Sequence, residues 1–219
     1  MRARILTGVG ALSVMFAAAV CGRADPIALV DSSLSGLFAP DSYSELGSLL
    51  ETDMSSGNLY SEVHSRAYSG GGKYVYLYQV FNTGTSGNSS VEQFTLGEFA
   101  GSIIYGDIGL LTGTLPDGFS AGGQPPYPTC RVNPLPGGVE ASFYYSEVLV
   151  NPIDPGEHSR VMFIRSTLPP GLIDGSVINH NVGTGHIVGA VPEPGALVLL
   201  VTAGLGVLAY SLRRRQRRG

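Results

Sequence analysis

The segment Tyr74-Val75-Tyr76-Leu77-Tyr78-Gln79-Val80-Phe81 constrains the fold more than any other part of the chain. Aromatic and β-branched residues in a row favour a pleated strand over a helix. Alternate side chains of a strand point to opposite faces, so Tyr74, Tyr76 and Tyr78 share one face and Val75 and Leu77 the other. A strand that is apolar on both faces belongs in the middle of a sheet, covered on at least one side. Ser69-Gly70-Gly71-Gly72 precedes it as a turn. Residues 59–68 alternate before that turn, with Leu59, Val63 and Ala67 on one side. Together they predict a β-hairpin.

The rest of the middle reads the same way. With 31 Gly, 14 Pro and only 14% charged residues, the chain suits short strands and turns better than long helices. Residues 91–99 predict a strand with Phe94 and Leu96 inward. Residues 139–150 predict a longer one, with Val139, Ala141, Phe143 and Tyr145 on one face and a bulge near Ser146 or Glu147. Residues 159–168 place Met162 and Ile164 on one face and Val161 and Phe163 on the other. Residues 179–190 offer a last strand. Residues 106–138, rich in Gly and Pro, predict a long loop holding one short strand, and 124–128 cannot form a ladder there. Residues 44–53 predict the only helix outside the membrane. The expected fold is a single β-sandwich, immunoglobulin-like or jelly-roll-like, over residues 25–190.

Charge separates the ends from the middle. Eight of the 13 basic residues lie at the two ends, and residues 25–190 carry a net charge of −11. Such a domain cannot bind nucleic acid by releasing counterions. Arg2 and Arg4, an uncharged run over 5–20, and Gly22-Arg23-Ala24 before Asp25 form a secretory signal pattern over residues 1–24. Cys21 offers a second reading, a lipoprotein start, although Val20 stands where a small residue is usual. If Cys21 leaves with the signal, Cys130 has no intramolecular partner and the domain is held by its core.

At the other end Pro192-Glu193-Pro194 precedes residues 195–212, which carry no charge. Arg213, Arg214, Arg215, Arg217 and Arg218 follow. As a helix those uncharged residues span about 27 Å at ~1.5 Å per residue, close to the ~30 Å of a bilayer core. The basic cluster keeps its end cytoplasmic and turns the domain outwards. Proline-glutamate-proline, one apolar helix and a terminal arginine cluster, in this order over residues 191–219, resemble the PEP-CTERM sorting signal of Gram-negative bacteria. The resemblance implies processing at the inner membrane by an exosortase, a transpeptidase-like cysteine enzyme. It makes Pro192, Glu193 and Pro194 recognition residues, and it implies delivery to the cell surface or an exopolysaccharide matrix. The other reading of the tail is a plain stop-transfer anchor on a proline-rich stalk.

The middle carries few chemical motifs. The sequence contains no H-E-x-x-H and no EF-hand loop. Ser69 to Lys73 resembles a phosphate loop in composition alone. His180 and His186 flank a glycine-containing segment, and Cys130 lies in a proline-rich stretch beside Arg131. No cofactor, metal site or catalytic residue is expected. Tyr74, Tyr76 and Tyr78 are the possible ligand face, because three rings on one strand could stack on sugars; the alternative is a core face whose hydroxyls reach the sandwich edge. The expected function is a non-catalytic structural or adhesive protein of the surface or matrix. A secreted carbohydrate-binding module and a surface-polymer hydrolase are the alternatives.

Overall fold

The computed structural model describes residues 25–146 and 151–192. In chain order the elements are β1 (Asp25–Ala28), β2 (Val30–Ser33), α1 (Leu34–Phe38), β3 (Ser44–Asp53), β4 (Ser61–Gly70), β5 (Lys73–Asn82) and β6 (Gln93–Ala100). They continue with β7 (Ile108–Thr112), β8 (Thr129–Leu135), β9 (Gly138–Tyr144), β10 (Met162–Ser166), β11 (Pro170–Ile178) and β12 (Val182–Ala190). They form two six-stranded sheets. The first has the order β1-β8-β9-β6-β11-β12 and the second β2-β7-β10-β5-β4-β3. Strand pairs are antiparallel except β2 with β7. β1 and β2 are separated by Leu29 alone, so the chain passes from one sheet to the other at that corner.

The β4–β5 hairpin forms as its sequence dictates. Gly71 and Gly72 have φ of 55° and 74°, the two positive values that a two-residue turn of the twist-matching kind needs and that glycine adopts without steric cost. The strands pair from Ser61↔Asn82 to Gly70↔Lys73. β5 lies between β10 and β4 and is buried on both faces. On its inner face Tyr76, Tyr78 and Val80 join Val63, Ala67, Met162 and Ile164. These meet Phe94, Leu96, Phe99, Ala141, Phe143, Val177 and Ile187 of the first sheet. Tyr76 packs edge-on to Phe99 at 5.3 Å between ring centroids, and Tyr78 tilts against Phe94 at 5.9 Å. On its outer face Val75 and Leu77 join Tyr68, Leu111, Val161 and Phe163 beneath Leu34, Leu37 and Phe38 of α1. This five-residue helix starts at Ser33, whose hydroxyl accepts from Gly36 N.

Several expectations need correction. Residues 44–53 are strand β3, not a helix. Leu46, Leu49 and Leu50 have helical spacing, but Gly47 sits at φ 74° and the register shifts between Leu46 and Leu50. The segment is an edge strand, and pairing with β4 outweighs its local preference. Residues 106–138 hold two strands, β7 and β8, rather than one. Pro134 is accommodated because β1 pairs only with Thr129 to Val132, leaving the far end of β8 at an edge. β11 was not expected at all. β9 ends at Tyr144, and residues 147–150 of the predicted strand, Glu147 of the predicted bulge among them, lie outside the described residues.

Candidate functional site

The tyrosine row is core. Tyr76 and Tyr78 are fully buried, and Tyr74 is half-buried against the same cluster. The Tyr76 hydroxyl donates to Leu168 O at 2.6 Å and the Tyr78 hydroxyl to Val188 O at 2.8 Å. Burial pushes both phenols well above their usual range, so both remain neutral donors. These rings fill the space between the sheets and offer no face to a sugar. The sequence could not decide this, because both faces of β5 are apolar and only the packing shows which one looks inward.

Cys130 also belongs to the core. Strand alternation puts it on the inner face of β8, while Arg131 lies on the outer face over the Tyr144 ring at 4.8 Å. Arg131 therefore does not activate it. Burial, offset in part by a backbone hydrogen bond, pushes the thiol well up. Since the thiolate is the nucleophile, the Cys130 peptide should stay unlabelled by iodoacetamide at pH 8 in the folded protein and label fully in denaturant, without reductant. Raising the pH to 9 should change little, because the folded-state pKa lies above that range. Rapid native labelling in mass spectrometry would show that β8 does not bury it.

The histidine pair is not assembled. His180 occupies the turn between β11 and β12, while His186 lies along β12 opposite Asp174. His186 Nδ1 is 2.9 Å from Asp174 Oδ1, with side chains 72% and 75% exposed, a solvated surface pair. It borders a shallow groove of about 520 Å³ on the outer face of the first sheet, with Thr95, Glu140, Ser176 and Thr184. Cross-strand register aligns Arg131, Ser142, Thr95, Ser176 and Thr184 in one row over five strands. Thr95 and Ser142 bond each other at 3.0 Å, and Gln93 donates to Thr95 at 2.8 Å. This face is polar and built from small side chains, and the sequence reading did not find it. Nor did that reading bring together Glu51, Glu62 and His64, which meet on the outer face of the second sheet.

The C-terminal junction is tight. β12 ends at the buried Ala190. Val191 N donates to Pro169 O at 3.1 Å, and the Val191 side chain packs on the core. Pro192 is exposed. Glu193, Pro194, residues 195–212 and Arg213, Arg214, Arg215, Arg217 and Arg218 lie outside the described residues, as does the signal segment 1–24. Residues 190–216 match the PEP-CTERM protein-sorting motif. The PEP-CTERM motif thus begins at the last residue of the last strand. It implies an exported protein sorted at the membrane and recognised by an exosortase. Neither a curated protein nor a solved structure matches the chain. Among the described residues no helix is long and apolar enough to cross a membrane.

Proposed function

We propose that this chain is a non-catalytic structural or adhesive component of the cell surface or exopolysaccharide matrix. In this reading the signal at 1–24 exports it and the helix at 195–212 holds it in the inner membrane. The arginine cluster fixes its orientation, and an exosortase processes it at Pro192-Glu193-Pro194. The domain between is a β-sandwich of the immunoglobulin-like or jelly-roll-like kind. The observation that carries the reading is the PEP-CTERM match at 190–216, joined without a spacer to the folded end of β12. The surface facing the matrix is then the outer face of the first sheet. Its Ser176 and Thr184 hydroxyls, flanked by Asp174 and Glu140, can exchange hydrogen bonds with a polysaccharide in place of water, above the buried Thr95–Ser142 pair.

Fractionation of the native host tests this. The full chain should be recovered at the cell surface or in the matrix and be open to external protease. A chain stopped after Val191 keeps every described strand and should be exported yet remain periplasmic. Equal surface recovery of the two would show that the tail does not sort the protein.

A further inference from the structure

One cluster outside the core and the tail is arranged as a set of ligands. β3 and β4 pair so that Glu51 lies opposite His64 and Asp53 opposite Glu62. Alternation along the strands puts all four on the outer face of the second sheet. His64 is the centre. Its Nδ1 is 2.8 Å from Gly118 O, and a carbonyl oxygen can only accept, so Nδ1 carries the ring proton. Its Nε2 lies 2.5 Å from Glu62 Oε1 and 3.9 Å from Glu51 Oε1.

The ring is fixed from two sides. Phe81 packs on it at 4.4 Å between centroids. The segment bearing Gly118 is pinned by the buried Gln79, whose amide donates to Ser120 O and accepts from Ser120 N, both at 2.8 Å. Gly118 itself has φ 88°, and the Leu49 side chain occupies the place of a Cβ. His64 is thus only 14% exposed, while Glu62 and Glu51 are 37% and 58% exposed.

Nε2, which shares a proton with Glu62 Oε1 in the metal-free chain, and two carboxylates converge on one point, where an ion would take the place of that proton. Asp53, opposite Glu62 on the same face, adds to the negative charge, and like charges directly opposite on paired strands repel. Such a point calls for a cation. We propose that Glu51, Glu62 and His64 bind a divalent first-row transition ion of the Zn²⁺ class at an open surface site. Their donor atoms all lie within 4.8 Å of one another; two bonds of about 2.0–2.2 Å reach no more than about 4.4 Å, so the exposed Glu51 side chain must close in on the ion. Glu62 Oε1 must withdraw from Nε2 by roughly 0.8 Å, because two ligands at a tetrahedral angle sit about 3.3 Å apart. Its exposed flexible side chain permits that. The imidazole favours a transition ion over Ca²⁺ or Mg²⁺. The Nδ1 bond to a backbone carbonyl is the outer support that orients metal-binding histidines. Solvent supplies the remaining position.

The test is calorimetric titration of the chelator-stripped full chain in detergent, with Zn²⁺, Ca²⁺ and Mg²⁺ in turn. One Zn²⁺ should bind per chain, and Ca²⁺ and Mg²⁺ at least about tenfold more weakly. H64Q and E62Q should weaken Zn²⁺ roughly 100-fold. E51Q, on an exposed side chain of an edge strand that should fold regardless, should weaken it at least about tenfold. H186Q should bind as wild type. Zn²⁺ should raise the thermal midpoint of the wild-type chain and of H186Q but not of H64Q. Absence of stoichiometric Zn²⁺ binding, wild-type affinity in E51Q and E62Q, or loss of binding in H186Q would each overturn the assignment.

Discussion

Replacing Phe94 by Ala in a chain of residues 25–192 is expected to lower its stability by about 4 kcal/mol, the usual scale for a large buried ring. Phe94 is fully buried on β6, which lies between β9 and β11. Its ring stacks on Phe143 at 6.3 Å and tilts against Tyr78 across the gap between sheets. Tyr78 cannot swing in to fill the void, because its hydroxyl is tied to Val188 O. A domain of this size is typically stable by ~5–15 kcal/mol, so one substitution should remove a large share. The parent chain should unfold cooperatively in urea. The variant's midpoint should fall with an unchanged slope, the sign of altered stability rather than altered compactness. Leu172→Ala, at a side chain 64% exposed on the outer face, should change stability by no more than about 0.5 kcal/mol. A loss below about 1 kcal/mol at Phe94 would mean that this contact does not hold the sheets together.

The contrast between Phe94 and Leu172 also shows which parts of the fold were legible in the sequence. Alternation around Phe94 and Leu96 was strong enough to give both the strand and its inward face, and around Met162 and Ile164 it gave the strand and its two faces. β11 shows the reverse. It opens on Pro170-Gly171, and its apolar residues Ile173 and Val177 are separated by Asp174, Gly175 and Ser176. Its place comes from pairing with β6 and β12, not from its own pattern. β3 misled because three leucines at helical spacing outweighed one glycine in a local reading. That error hid the Glu51, Glu62 and His64 cluster, since Glu51 meets His64 only if residues 44–53 form a strand in register with β4. Glu62 and His64, two apart on one strand, were the single local signal. The polar row on the first sheet was equally hidden, because its members come from five strands spread from Thr95 to Thr184. The sorting tail was legible because its recognition depends on a contiguous pattern and needs no tertiary pairing.

Replacing Pro192, Glu193 and Pro194 together by Ala is expected to stop processing while leaving membrane insertion intact. Insertion depends on the hydrophobicity of residues 195–212 and orientation on Arg213, Arg214, Arg215, Arg217 and Arg218, none of which the change touches. The folded domain should be unaffected too, because its last core-packed residue is Val191 and Pro192 is exposed. Hydropathy alone would account for retention in the membrane, yet it gives no reason for proline to flank a glutamate just ahead of the span. Proline lacks the amide donor a helix needs and disfavours helix at the residue before it, so in the proposed reading the triplet is set apart from the span and offered to the membrane enzyme. Three alanines would instead favour extending the helix towards β12, since alanine is the strongest helix former. The variant should accumulate uncleaved in the inner membrane, and a tail epitope should fractionate there with the full-length band. The unmodified chain should lose the epitope and move outwards. If the variant loses its tail and reaches the surface as efficiently as wild type, the triplet is only a stalk. Sorting must then be read from the apolar helix or the arginines.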